Sequence, residues 1–229
     1  MEYGVISKGG HVVIYGSDKL IGWEPGNFDV YSAKSDYNSL FNLLSANRKT
    51  FATLAHLAQT DYGNLAARPY DLKADQALCR VAISSGPAFS KKTDYSDRAP
   101  ISFLSYYKRL LSLGYIVGPV IDHDNHNTTF GRMSASRTAG LARALSRDSI
   151  IDAYRSNRFY ATQDWNAVVG FTINGQPMGS YLKTSSQLKF QVDISDPDAA
   201  DKVKTIKILY GKPGPVNGED IDKHHQPAG

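Results

Sequence analysis

A change in hydrophobic periodicity near residue 160 most constrains the fold. Before it, short apolar runs alternate with amphipathic helical segments, an order typical of an α/β layer or barrel with parallel strands. After it, three segments alternate apolar and polar residues, an arrangement typical of antiparallel strands: 168–173, 188–194 and 203–210. We therefore predict an α/β domain over 1–163, a partial antiparallel β-sandwich over 164–212 and a loop-like tail over 213–229.

Local signals predict several helices and strands. Asp36 and Ser146 each precede an apolar helical stripe and are suited to cap a helix start. A third helix is predicted over 102–113, with Gly114 ending it. The remaining assignments are strands at 51–55 and 78–83 and loop over 57–75.

The composition excludes several classes of protein. A single cysteine, Cys79, rules out an internal disulfide and a cysteine-based zinc cluster. The net charge is +4 and the basic residues are scattered, so we expect no nucleic-acid partner. No apolar run approaches the ~18 residues of a membrane span, and we see no signal peptide. The sequence does not assign a localisation, and a longer parent protein could be exported.

The segment Asp122-His123-Asp124-Asn125-His126 is the strongest functional signal. It follows an apolar run that reads as a buried strand, and its carboxylates and imidazoles are typical ligands of a catalytic metal. The alternative is a hydrogen-bonded polar loop. His56 ends the predicted strand 51–55, and the carboxyl ends of parallel strands gather at one face, so His56, Asp124 and His126 could converge. The alternative for His56 is a half-buried core histidine.

Four motifs in order resemble the later metal motifs of the PHP superfamily (polymerase and histidinol phosphatase). They are Glu2, Gly10-His11-Val12-Val13-Ile14, Ala52-Thr53-Leu54-Ala55-His56 and Asp124-Asn125-His126. Residues 158–162 and 171–180 are similar to the junction in bacterial PHP-like proteins that carry a C-terminal β-sandwich. The resemblance covers roughly residues 1–195.

The resemblance implies a distorted seven-stranded β/α barrel that holds two or three zinc, iron or manganese ions and hydrolyses phosphate esters. Glu2 would match the bridging carboxylate, and His11 and His56 two histidine ligands. Asp124 and His126 would match the closing Asp-x-His pair.

The chain also departs from the family pattern. The family opens with a His-x-His motif and a further Asp and His, and nothing before Glu2 supplies them. The chain therefore looks like an N-terminally truncated member whose PHP-type β/α barrel is incomplete. A barrel that lacks strands has open edges, so we expect a homo-oligomer or a rearranged edge.

Three further residues are candidates for catalysis. His123 could be a metal ligand, a general acid or a donor to a ligand. Arg132 and Arg137 present planar forks that match phosphate oxygens, although both could be solvated surface arginines. Two functions follow: a phosphoesterase that acts on a small-molecule phosphate ester through a metal-activated water, or an inactive remnant or binding module with an incomplete metal site.

Overall fold

The chain forms two compact units. The structure, a computed structural model, describes residues 1–4, 9–58, 60–214 and 223–224. Unit 1 comprises the described residues of Met1–Ser85, Ile101–Asp122 and Lys207–Gly229, and unit 2 comprises Gly86–Pro100 and His123–Ile206. The sequence-based boundaries 1–163, 164–212 and 213–229 stay a prediction, and most of the predicted tail lies outside the described residues.

The strands and helices of the described chain are short. The strands are β1 (Glu2–Gly4), β2 (His11–Tyr15), β3 (Ile21–Gly22), β4 (Val30–Tyr31), β5 (Phe51–Ala55), β6 (Leu78–Ser85), β7 (Ile101–Ser102), β8 (Gly118–Asp122), β9 (Arg137–Gly140), β10 (Phe159–Thr162), β11 (Val168–Ile173), β12 (Gln176–Pro177), β13 (Phe190–Ser195), β14 (Leu209–Tyr210) and β15 (Lys223–His224). The helices are α1 (Tyr37–Ser45), α2 (Asp61–Asn64), α3 (Leu72–Ala77), α4 (Leu104–Leu113) and α5 (Arg147–Arg155).

Unit 1 contains a six-stranded mixed sheet. Its strand order is β1-β2-β5-β6-β7, and β8 also pairs with β6. β1, β2 and β5 are antiparallel neighbours, whereas β5, β6 and β8 run parallel. Antiparallel pairing in the first half of the sheet places the start of β2 beside the end of β5.

The predicted β/α barrel is wrong. The described chain is mixed α/β but strand-rich, and none of its sheets closes into a barrel. A barrel requires the first and last strands to pair, and its parallel strands need a crossover between each neighbouring pair. Here β1 is an edge strand, and both β1 and β5 run antiparallel to β2. The predicted strands at 51–55 and 78–83 are present as β5 and β6, but periodicity did not fix the direction of the strands.

One face of the sheet in unit 1 builds the core. Tyr3, Val12 and Leu54 alternate with residues of the other face and belong to a buried apolar cluster with Leu40 and Leu44 of α1. Burying each such leucine stabilises the fold by about 1.5–3 kcal/mol. The opposite face is left to a second set of side chains, and several of these are polar.

Capping explains where three helices begin or end. Asp36 accepts from Ser39 N at 3.0 Å before α1, and Ser146 caps α5 in the same way. Gly114 takes a left-handed conformation (φ 104°) directly after α4. These three sequence predictions are confirmed.

The predicted loop over 57–75 is wrong, because it contains α2 and α3. Asp71 starts α3: its Oδ1 accepts from Lys73 N at 2.9 Å and from Ala74 N at 3.1 Å. The capping signal is therefore present in the sequence, but the helix is only six residues long. Left-handed Tyr62 and Gly63 interrupt α2, so it has no helical period to detect.

Unit 2 contains two small antiparallel sheets. β9 pairs with β10, and β11 lies between β12 and β13. Asn174 and Gly175 both have positive φ (51° and 76°) in the turn after β11, as their sequence predicts.

In the described residues, the three-stranded sheet β12-β11-β13 stands where a partial β-sandwich was predicted. The predicted strand 203–210 is formed only at β14, which pairs with β15 in unit 1. Val203 and Ile206 are 57% and 54% exposed, and no strand of the described residues pairs with them.

Within the described ranges, no helix combines the length and the hydropathy that crossing a membrane requires.

Candidate metal centre

Three predicted ligands lie at one end of neighbouring strands in unit 1. In the β1–β2 pair, Glu2 is opposite Val13 and Gly4 is opposite His11, so Glu2 and His11 are diagonal neighbours on one face. In the β2–β5 pair, His11 is opposite Ala55. His56 directly follows Ala55. Strand pairing therefore brings together residues that are up to 54 positions apart in the sequence.

The three side chains converge. One ligand atom from each of Glu2, His11 and His56 lies within 4.8 Å of the other two. His11 Nδ1 is 2.5 Å from Glu2 Oε1, and the two imidazole centroids are 5.0 Å apart with their planes at 86°. The His11 side chain is 15% exposed and that of Glu2 is 51% exposed, so the cluster is reached from one side.

The environment of His11 fits a metal ion. His11 Nδ1 is buried and makes no hydrogen bond with any described residue. Its 2.5 Å contact with Glu2 Oε1 has the length of an ion pair but does not meet the geometry of a hydrogen bond. A buried nitrogen without a hydrogen bond is unfavourable unless an ion binds it. Imidazole and carboxylate together suit zinc, iron or manganese.

Tyr62 holds the strand ends that carry the two histidines. Its hydroxyl shares its one hydrogen between the carbonyls of His11, at 2.9 Å, and of Ala55, and its backbone N–H donates to Gly9 O at 2.9 Å. Burial raises the pKa of Tyr62 well above 10.0, so the hydroxyl keeps its proton and remains a donor. His56 itself has a left-handed backbone (φ 53°), which turns its side chain out of the strand period.

Gly10 makes room for Tyr62. Its φ is +90°, and a Cβ at this position would lie 2.7 Å from Tyr62 Cζ. A side chain here would therefore both strain the backbone and displace the tyrosine ring.

Asp124 and His126, the predicted closing pair, lie side by side in unit 2. His126 Nε2 is 3.5 Å from Asp124 Oδ1, and the two side chains are 57% and 21% exposed. The His126 ring also stacks on Phe89 at 5.2 Å. That these two residues share a centre with Glu2, His11 and His56 stays a prediction.

Asn125 anchors the loop between these two residues. Its Nδ2 donates to Ser90 O at 3.0 Å, and its Oδ1 accepts from Thr129 Oγ1 at 2.8 Å and from Asn127 N at 3.1 Å. Both ends of the amide are therefore satisfied within unit 2. Asn125 fixes the backbone of the motif, which leaves Asp124 and His126 as its ligand candidates.

The three predicted catalytic residues differ in how they are engaged. His123 Nε2–H donates to Ser136 O at 3.0 Å. Arg137 Nη1 donates to Ser134 O and to Ser136 O, both at 2.7 Å, so this part of the guanidinium is occupied by backbone. Arg132 is exposed, and among the described residues its side chain makes one long hydrogen bond, 3.4 Å, from Nε to Thr129 O. Their roles in catalysis stay predictions.

Two features were not identified from the sequence. Arg80 lies in the middle of an apolar strand, is 5% exposed, and donates from Nε to Thr53 Oγ1 at 2.8 Å. A charged residue inside the run 78–83 was a detectable signal. Asp164, Asp196 and Asp201 form a second group of carboxylates in unit 2.

The second group of carboxylates is engaged in turns. Asp164 Oδ1 accepts from Asn166 N at 2.8 Å and from Ala167 N at 3.0 Å, and Asp196 Oδ1 accepts from Asp198 N at 2.8 Å. Such side chain to backbone bonds are common where aspartate stabilises a turn. They account for Asp164 and Asp196 without a metal.

Two Chlamydia proteins are similar to part of the chain. A protein of Chlamydia trachomatis (serovar D) is 35% identical over 110 residues, which is 46% of this chain and 18% of that protein. A protein of Chlamydia muridarum is 31% identical over 137 residues, 57% of this chain and 22% of that protein. Both are described only as uncharacterized proteins, and the chain spans about a fifth of their length. Neither a family profile nor a solved structure matches the chain.

Proposed function

We propose that this chain binds a divalent transition-metal ion through Glu2, His11 and His56 and is a metal-dependent hydrolase of small phosphate esters. The convergence of the three ligand atoms within 4.8 Å supports this most directly. Two imidazoles and one carboxylate are a donor set of catalytic zinc sites that keep one coordination position open.

The residues of unit 1 hold and orient the centre. When bound, the ion would lower the pKa of a water molecule and polarise a phosphoryl oxygen. Glu2 and His11 supply ligands from adjacent strands, and His56 supplies one from the end of β5. Tyr62 holds His11 and His56 in register, because its hydroxyl bonds the carbonyl of His11 on β2 and that of Ala55 on β5, directly before His56.

His123 is suited to move a proton. A carbonyl oxygen can only accept, so the bond to Ser136 O places a hydrogen on Nε2, and Nδ1 is the ring nitrogen that can exchange a proton. Within unit 2, His123 is the predicted proton-transfer group, and the exposed guanidinium of Arg132 is the predicted phosphate-binding group. Asp124 and His126 stay predicted further ligands.

The resemblance to the PHP motifs supports the hydrolase proposal through the order of Glu2, His11, His56 and the Asp124–His126 pair. This support comes from the order of the motifs alone, because the sheet of unit 1 is open and does not form the barrel that the resemblance implied. Convergence of three ligands depends only on the β1-β2-β5 pairing, which the open sheet provides.

A second candidate function is a binding module that holds a single ion without turnover. It is favoured by the number of ligands, because Glu2, His11 and His56 account for one ion. A two-metal phosphoesterase centre requires further ligands.

Hydrolysis of p-nitrophenyl phosphate by metal-free, manganese-loaded and zinc-loaded protein tests the proposal. We expect turnover only with metal, and a loss of roughly 100-fold or more in kcat/KM for His11→Ala and His56→Ala. Glu2→Gln should also lose activity, and Glu24→Gln, an exposed glutamate that bonds Asn27, is the matched control. Turnover that survives metal removal or His56→Ala would exclude the proposal, and bound metal without turnover would favour the binding module.

A further inference from the structure

Unit 1 contains a cavity of about 640 Å³ that the proposed metal centre does not use. Leu57, Ala66 and Phe103 give it an apolar wall, and Ser102, Ser105 and Arg109 give it polar groups. Its size lies within the ~300–1,000 Å³ of sites that bind small molecules. This combination of a concave apolar surface with a few polar groups is typical of a ligand site.

Arg109 brings a guanidinium charge to the wall of this cavity. Its Nε donates to Ala66 O at 3.1 Å, and its Nη1 reaches Ser112 Oγ at 3.4 Å. Both acceptors are neutral, and among the described residues Arg109 forms no ion pair. Its Nη2 donates to none of them. Since the guanidinium is partly buried, an anion that bound its remaining N–H groups would replace lost hydration with charge-assisted hydrogen bonds.

One carboxylate close in sequence to the cavity wall has a partner elsewhere. Asp61, which is 7% exposed, accepts from Ala58 N at 2.7 Å through Oδ2. It therefore has a partner of its own. A ligand anion at Arg109 would not displace an existing ion pair.

The start of α4 adds donors on the same side. Ser102 and Ser105, both exposed, line the cavity, and Phe103 at the N-cap position offers no capping side chain. Uncapped N–H groups at a helix start favour a negative charge nearby. Like the guanidinium of Arg109, these N–H groups attract an anion.

We infer that this cavity binds a small organic anion, with a carboxylate or phosphate at Arg109 and an apolar body against Leu57, Ala66 and Phe103. The inference does not depend on the proposed metal chemistry. It is therefore tested on metal-free protein, where a failure of the hydrolase proposal has no effect on the result.

Isothermal titration of the metal-free chain with four probes tests the inference: phenyl phosphate, benzoate, inorganic phosphate and neutral benzyl alcohol. We expect phenyl phosphate or benzoate to bind with Kd below about 1 mM, and benzyl alcohol at least tenfold more weakly. The comparison of phenyl phosphate with benzoate shows which anion is preferred. Inorganic phosphate shows how much the apolar wall contributes.

Two variants assign the site. Arg109→Met should weaken anion binding at least tenfold, whereas Arg98→Met, at an exposed arginine of unit 2, should leave it unchanged. Arg109→Met also removes the bond to Ala66 O, so its thermal unfolding is measured alongside. Ala67→Phe fills the cavity without altering Arg109 and should abolish binding. Absence of binding by every anion at about 10 mM, or binding that both variants retain, would overturn the inference.

Discussion

Replacing Tyr62 with phenylalanine tests whether the β2–β5 clamp stabilises unit 1. Tyr62 is fully buried, and its hydroxyl donates to the carbonyls of His11 and Ala55. The change removes one oxygen and leaves the ring in place. Because two buried acceptors lose a donor, we expect the free energy of unfolding to fall by about 1–3 kcal/mol, or roughly 2–12 °C in Tm.

Tyr106→Phe is a matched control for the same chemical change. Tyr106 is 7% exposed, and its hydroxyl lies near the Ala66 backbone. It makes no hydrogen bond of normal geometry with a described residue. Removing a buried hydroxyl that lacks a partner relieves a desolvation penalty. We expect Tyr106→Phe to be neutral or slightly stabilising, within about 0.5 kcal/mol of the starting protein.

The two units can be followed separately by fluorescence, since Trp23 lies in unit 1 and Trp165 in unit 2. In a Trp165→Phe background, urea unfolding monitored at Trp23 reports on unit 1. Equal stability of the Tyr62→Phe and Tyr106→Phe variants would refute the clamp. Tyr62→Phe should also weaken metal binding by about tenfold, since it frees the strand ends that carry His11 and His56.

Two further changes test other parts of unit 1. Asp71→Ala removes the cap of α3 and the ion pair between Asp71 and Arg68, and should lower the free energy of unfolding of unit 1 by about 1–2 kcal/mol. Asp71→Asn keeps a capping oxygen and should lose less than about half of that in the same urea assay. Burial raises the pKa of Tyr107 and Tyr115 from 10.0 to about 12. The stability that these protonated tyrosines provide should therefore be complete below pH 10 and be lost as the pH rises from 10 to 12. Unfolding that precedes the rise in phenolate absorbance during a pH titration would contradict this.

The local elements could be predicted because their signals are local. Asp36, Ser146 and Gly114 each start or end a helix through contacts with residues a few positions away. The strand at 51–55 is bounded as its apolar run indicates. These assignments need no knowledge of the rest of the chain.

Strand direction could not be predicted, and it decides both the fold and the candidate site. His11 begins β2, and in a parallel sheet the start of a strand lies away from the strand ends at which sites gather. Since β2 runs antiparallel to β5, its start lies beside the end of β5, next to His56. The pairing that excludes the barrel is therefore the pairing that brings His11 and His56 together.

Metal content per chain tests the central proposal most directly. The protein would be equilibrated with zinc or manganese, dialysed, and measured by elemental analysis beside His11→Ala, His56→Ala and the Glu24→Gln control. We expect at least one tightly held ion in the starting protein and in the control, and loss of that ion in both histidine variants. Protein that retains no ion, or histidine variants that retain as much metal as the starting protein, would contradict a metal centre at Glu2, His11 and His56.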